Sequence, residues 1–338
     1  MKPLNVLVMT PTFDRTFPRA DETTLQQIRG VDPGLNVQDA SALAVAEMRG
    51  DAAARSQLDA LLAGTEVIFG LMLPPDLIRR APGLKWLQMM SAGVDRLATI
   101  DVWKSRVTIT GVSGITATPI AEFVLGLMLM FVKDSPRSFR MKQARQWQRY
   151  GSTVLRSRTV GILGLGHIGN EVARLAKAFG MRVIATRRSA REGARARYVD
   201  LLLPRAQQAR LFAESDFVIV SVPLTAETRR LVGEAELRVM KSTAYLINIA
   251  RGGIVDEDAL IRALEEKRIA GAGLDVTATE PLPADSRLWD MDNVILSPHV
   301  AGSMDDYMAR STDIFCANLR RYLDGQRLHN LVDRKKGY

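Results

Sequence analysis

Cysteine, histidine and long apolar runs are all scarce in this chain of 338 residues. The single cysteine, Cys316, excludes an internal disulfide framework and fits a reducing cytoplasm. It falls in a helical pattern with no base nearby and reads as buried filler. The longest apolar run, 123–132, is ten residues, whereas a membrane span needs about twenty. The opening MKPLNVLVMT has one lysine and no small-residue cleavage site, so it reads as a first strand and not as a signal peptide. Zinc spacing, a basic heptad region, short-period repeats and low-complexity segments are all missing. The net charge of +9 invites a nucleic-acid reading, yet the arginines are spread along the chain. Neither nucleic acid, membrane nor metal is expected as a partner. A positive surface would also draw in phosphorylated cofactors and carboxylate substrates.

What is present is a repeated alternation. A length of 338 residues suits two domains. Strand-like runs at 4–9, 65–70, 84–90 and 106–110 are separated by helical stretches containing AVAEM and SQLDALLAG. Short apolar runs divided by amphipathic segments imply a parallel sheet covered on both faces. The alternation restarts after Arg158, with strands expected at 159–163, 181–186, 216–221, 243–249, 271–276 and 293–297. Residues 118–145 form the most helical stretch, with Thr118 as N-cap, Pro119 at the first helical position and Glu122 in the first turn. Its apolar character runs round most of the helix, which suits burial between lobes or between subunits, and a homodimer through this region is expected. The expected fold is α/β: two Rossmann-like lobes, one flavodoxin-like and one dinucleotide-binding, with parallel sheets and a cleft between them. Residues 1–110 and 299–338 would form the substrate lobe and 111–298 the dinucleotide lobe, with a final helix at about 303–324.

The segment GILGLGHIG places Gly164, Gly166 and Gly169 between a strand and a helix. Gly164 permits the tight turn, Gly166 leaves room for a pyrophosphate, and Gly169 lets the helix pack on the strand. The helix N-terminus then offers N–H groups and partial positive charge to the phosphates. The spacing alone is weak, but a strand before it and a helix after it give it weight. The next strand ends Ala185-Thr186-Arg187-Arg188. An NAD site usually has an acid there to hold the ribose hydroxyls. Two guanidiniums could instead fork onto a 2′-phosphate. NADP(H) is therefore the expected cofactor and NAD(H) the alternative; two solvated loop arginines are the competing explanation.

Three further stretches carry charge at or just past strand ends, where open α/β sheets place ligands. They are Arg251 in NIARGGIVD, Glu280 in LDVTATEPLP and His299 in SPHVAG. A fixed cation, a carboxylate and an imidazole downstream of a dinucleotide loop suit hydride transfer to an anionic oxo acid or from the matching hydroxy acid. Of the other histidines, His167 sits in the glycine-rich loop and His329 in the polar C-terminal tail.

From GILGLGHIG through VPLTAETRRLV, MKSTAYLINIARGGIVDEDAL, GAGLDVTATEPLP and NVILSPHVAG, the chain resembles the D-isomer-specific 2-hydroxyacid dehydrogenase family. In the first lobe the resemblance rests mainly on SAGVD at 91–95. The resemblance implies that Arg251 binds the substrate carboxylate and that His299 exchanges a proton with the substrate oxygen. Glu280 would orient the ring, and Asp275 would contact the nicotinamide amide. It extends the cofactor set to His167, Ile168, Val222, Pro223, Thr228, Ile249, Ala250 and Gly302. Backbone N–H groups around Ala92, Gly93 and Val94 would meet the carboxylate, with a plain turn as the other explanation for Gly93. Trp147 matches a place where some relatives reach a neighbouring subunit's pocket; core packing is the alternative.

The leading expectation is an NADPH-dependent reductase of glyoxylate or hydroxypyruvate type. The alternatives are a short phosphoglycerate dehydrogenase and a nucleotide-sensing corepressor-like protein, since the fold by itself does not dictate activity.

Overall fold

The computed structural model describes residues 3–10 and 20–338. The chain divides into two compact units, 1–115 with 303–338, and 116–302. Each holds one parallel sheet.

In the first unit the strands are β1 (Leu4–Met9), β2 (Leu35–Asp39), β3 (Val67–Gly70), β4 (Trp86–Met89) and β5 (Thr108–Thr110). Their order is β2-β1-β3-β4-β5, the flavodoxin-like arrangement. Helices α1 (Glu22–Arg29), α2 (Ser41–Met48), α3 (Ala52–Ala63) and α4 (Leu77–Arg80) provide connections between successive strands, and the last helix, Tyr307–Leu323, returns to pack on the sheet. All four residues of β3 and of β4 are buried. Full burial of the apolar side chains among them contributes about 1.5–3 kcal/mol each, which fixes the sheet's centre. The strand β2 was not anticipated, because LNVQD is too short and polar to stand out.

The second unit opens with α5 (Ala117–Val132) and α6 (Ser135–Gln143). The single helical stretch expected at 118–145 is thus two helices. Asp134 breaks it in the left-handed conformation (φ 51°). The N-cap of α5 is Thr116, two residues before the expected position. Then come β6 (Thr159–Leu163), α7 (His167–Ala178), β7 (Arg182–Thr186), β8 (Leu201–Leu203), α8 (Gln208–Glu214), β9 (Phe217–Val220), α9 (Glu234–Val239), β10 (Tyr245–Asn248), α10 (Glu257–Glu265), β11 (Gly271–Leu274) and β12 (Val294–Leu296). The order is β12-β11-β10-β9-β6-β7-β8. From β8 to β11 this is the doubly wound dinucleotide order, with its switch point between β6 and β9. Alternate residues of β6 feed opposite cores: Val160 and Ile162 pack with α5 and α7, and Leu163 packs with α8 to α10.

The units divide after Ile115 and after Gly302, a few residues beyond the expected boundaries. The second difference matters, because His299 then belongs to the same unit as the dinucleotide sheet. The Asp275 carboxylate at the end of β11 accepts hydrogen bonds from Ser297 Oγ (2.7 Å), Val300 N (2.8 Å) and Ala301 N (3.0 Å), which ties this segment down. Among the described residues no helix is long and apolar enough to cross a membrane.

Candidate active site

The glycine-rich turn sits at the end of β6, on the switch point. Gly164 has φ of 103°, a region that favours glycine. A Cβ there would lie 2.6 Å from Val222 Cγ1, so the loops after β6 and β9 touch. Ser221 Oγ donates to Gly164 O (2.7 Å) and Leu165 N donates to Thr186 O (2.9 Å). A Cβ on Gly169 would fall 2.3 Å from Gly164 O, so α7 leaves the turn by direct backbone contact. Gly166 is different: a Cβ there would meet nothing within 4 Å. The protein's own packing therefore does not require glycine at 166, whereas a pyrophosphate lying against the backbone does. Gly166 is also the N-cap of α7 and supplies no capping side chain. The residues present fit a dinucleotide.

At the end of β7, Arg187 Nε donates to Leu165 O (3.3 Å), holding its guanidinium beside the glycine-rich turn. Arg188 is exposed next to it. His167 is exposed and Ile168 half-buried at the start of α7. After β9, Val222 and Pro223 enter a turn closed by Thr228. Its Oγ1 donates to Pro223 O (2.6 Å) and accepts from Thr225 N (2.8 Å). Ile249 is in the core of the unit, so only its backbone faces outward chemistry. Ala250 and Gly302 are half-buried.

Arg251 follows β10 on a turn built by Asn248. Asn248 Oδ1 accepts from Ala250 N (3.1 Å) and Nδ2 donates to Arg251 O (3.1 Å), an Asx-type closure that locks the turn. Arg251 Nη1 donates to Ala250 O (2.7 Å). A Cβ on Gly252 would lie 1.8 Å from Thr277 O, so the turn after β10 and the loop after β11 are in direct backbone contact. That contact brings the Arg251 turn against the segment leading to Glu280. Asn248 and Gly252 were not singled out from sequence; an Asn three residues before an Arg-Gly-Gly turn is the signal that could have found them.

His299 lies on the segment after β12. Its Nδ1 is 2.9 Å from Glu280 Oε2. The side chains of His299 and Glu280 remain 44% and 31% accessible. The backbone of His299 is left-handed (φ 55°), uncommon outside glycine and costing about 1–3 kcal/mol. Asp275 holds it there: its backbone O accepts from His299 N (2.8 Å), and its carboxylate grips the residues on both sides. Asp275 is 3% exposed, and its visible role is to shape the histidine loop. The structure therefore brings Arg251, Glu280, His299 and the glycine-rich turn into one unit.

The SAGVD segment follows β4 in the other unit. Ala92 is exposed, Gly93 half-buried and Val94 in that unit's core, and Ser91 Oγ donates to Gly93 O (2.7 Å). Trp147 is fully exposed, which removes core packing within this chain as its explanation.

Residues 125–301 match the family described as D-isomer specific 2-hydroxyacid dehydrogenase, NAD binding domain. A glyoxylate reductase of Korarchaeum cryptofilum is 34% identical over 266 residues, covering 77% of this chain and 79% of that protein. Among solved structures, a D-isomer specific 2-hydroxyacid dehydrogenase from Xanthobacter autotrophicus Py2, in complex with NADPH and MES, superposes with a TM-score of 0.82. It is 29% identical, and the match covers 100% of both chains. The NADPH-dependent glyoxylate/hydroxypyruvate reductase of Sinorhizobium meliloti, in complex with NADP and sulfate, gives 0.82 at 27% identity, covering 99% of this chain and 100% of that one.

Proposed function

Because the chain belongs to the D-isomer-specific 2-hydroxyacid dehydrogenase family, we propose that it is an NADPH-preferring reductase of small 2-oxo acids such as glyoxylate or hydroxypyruvate. As a member of that family it is an NAD(P)-dependent oxidoreductase. The observation that carries the finer reading is the 2.9 Å contact between His299 Nδ1 and Glu280 Oε2, in the unit that holds the dinucleotide turn.

The turn at 164–169 and the N-terminus of α7 would hold the pyrophosphate, and Arg187 with Arg188 the 2′-phosphate. A bound nicotinamide supplies the hydride. The planar fork of Arg251 anchors the substrate carboxylate and polarises the adjacent carbonyl. With Nδ1 on Glu280, the protonated ring of His299 presents its Nε2 proton to the carbonyl oxygen as that oxygen gains charge. Loss of the proton leaves the neutral ring with Nδ1–H still bonded to Glu280. In the oxidative direction the neutral Nε2 takes the proton back. Glu280 thereby fixes the tautomer through the whole cycle.

The test is kcat/KM for NADPH and for NADH against a panel of 2-oxo acids. A preference for NADPH of at least about tenfold is expected from the lost ribose-binding acid and the added guanidiniums. Equal use, or a preference for NADH, would remove the cofactor assignment. Cofactor binding without turnover on any 2-oxo acid would remove the reductase and favour a nucleotide sensor. The same reading makes the exposed Phe139 and Trp147 a self-association surface, and sedimentation is expected to give twice the chain mass of 37.3 kDa.

A further inference from the structure

The loop that carries Glu280 has little apolar hold on its own unit. Thr277 is half-buried, and Ala278, Thr279 and Glu280 are exposed. A small cavity of about 10 Å³ lies among the Arg251 turn, α10 and the end of β11, with Asn248, Gly252, Glu257 and Val276 on its walls. Such a space suits one water. Two hydrogen bonds close the loop on itself, Thr277 Oγ1 to Thr279 O (2.8 Å) and Thr277 N to Glu280 Oε1 (3.4 Å). Outward, Thr277 touches Gly252 through backbone. One residue further on, Ala278 N donates to Glu257 Oε2 at 2.8 Å.

Glu257 is the first residue of α10, but the cap of that helix is Asp256, whose carboxylate accepts from Ala259 N (3.2 Å). The Glu257 carboxylate thus reaches across to another loop while its neighbour does the capping. What the Glu257 side chain supplies is the oxygen that accepts the Ala278 N–H. It holds the backbone two residues before the carboxylate that meets His299.

We infer that Glu257 is a positioning residue: its carboxylate fixes the 277–280 loop so that Glu280 meets the imidazole. The inference rests on the role given to Glu280 above. A plain first-turn acid, acting on the helix dipole, is the competing explanation. The two separate on charge. Glu257→Gln keeps an oxygen that accepts the Ala278 N–H and discards the charge; Glu257→Ala discards both.

The experiment assays Glu257→Ala, Glu257→Gln and Glu280→Gln with glyoxylate and NADPH from about pH 5 to 9, where imidazole titrates. Glu257→Ala is expected to lower kcat about tenfold, leave KM for NADPH within about twofold, and displace the pH profile in the same direction as Glu280→Gln. Glu257→Gln should stay within about twofold of wild type throughout. Wild-type kcat and pH profile in Glu257→Ala, with Glu280→Gln impaired, overturns the inference alone. Equal loss in both Glu257 variants does so too and assigns the effect to charge. An unimpaired Glu280→Gln removes the role of Glu280 first, and this inference with it. Amide exchange at Ala278 in the wild-type enzyme is independent of whether any variant folds: slow exchange is expected, and exchange at the rate of an open loop overturns the inference.

Discussion

The two units share an architecture and use their polar residues in opposite ways. In the unit formed by 1–115 and 303–338, polar side chains close on one another inside the fold. Trp86 Nε1 donates to Thr110 Oγ1 (2.8 Å), Thr110 donates to Gln88 Oε1 (2.7 Å), and Asn318 Nδ2 reaches that same oxygen (3.0 Å). Arg80, its side chain 4% accessible, is clasped by Glu47 and Asp59. In the unit 116–302 the telling groups stand at strand ends: Arg251 after β10, Glu280 after β11, His299 after β12. A satisfied buried network rigidifies, whereas an accessible acid–imidazole pair can pass a proton to something else. Function here follows from where polar groups stop relative to the sheet edge, not from the sheet itself.

The comparison breaks most visibly at the open ends of the second sheet. Arg251→Ala is expected to lower kcat/KM for glyoxylate by at least about a hundredfold while NADPH still binds, since a desolvated charged contact is lost from the reacting acid. Steady-state rates and fluorescence titration with NADPH check both halves. The closed network of the other unit should answer in stability. Arg80→Ala removes the buried cation shared by Glu47, Asp59 and Asp76 and should cost about 2 kcal/mol by urea unfolding, below the range for fully buried pairs because Asp59 is partly open to water and Glu47 keeps Arg55. Unchanged stability would show that the network is not holding that unit.

Arg187→Ala combined with Arg188→Ala should lower kcat/KM with NADPH about tenfold and leave the value with NADH within about threefold, read from parallel assays. The smallest effect is at high pH. Burial pushes the Cys316 thiol up to about 11 and the Tyr307 phenol up to about 12, both in the last helix. Each folded-state value lies above its unfolded one, so the unfolded chain ionises first. The stabilisation is essentially whole at pH 8 and is lost progressively as pH rises toward these values. Urea midpoints at pH 8 and pH 10 measure it, and a flat response would contradict the burial of both groups.

Much of the second unit was legible because its strands are mostly apolar and its turns carry glycine and charge at fixed offsets. β6, for instance, is buried along all of its length. The strand β8 escaped because LLL is only three residues after an arginine-rich loop. The break between α5 and α6 also escaped, since a left-handed Asp134 leaves no mark on the hydrophobic pattern. Candidate side chains were readable at 251, 280 and 299 because each type of chemistry stands nearly alone in its motif. The groups that aim them were not. Gly252 meets Thr277 through backbone, and Asp275 holds 297–301 through its carboxylate and carbonyl; these contacts join loops distant in sequence, which spacing along one chain does not encode.

The central claim is that an imidazole held by a carboxylate handles the substrate proton. NADPH consumption by wild type and His299→Ala, side by side with glyoxylate, tests it most directly. The account predicts that the variant binds NADPH and loses at least about a hundredfold in kcat/KM, the low end for general acid–base catalysis. Turnover within about twofold of wild type would contradict it.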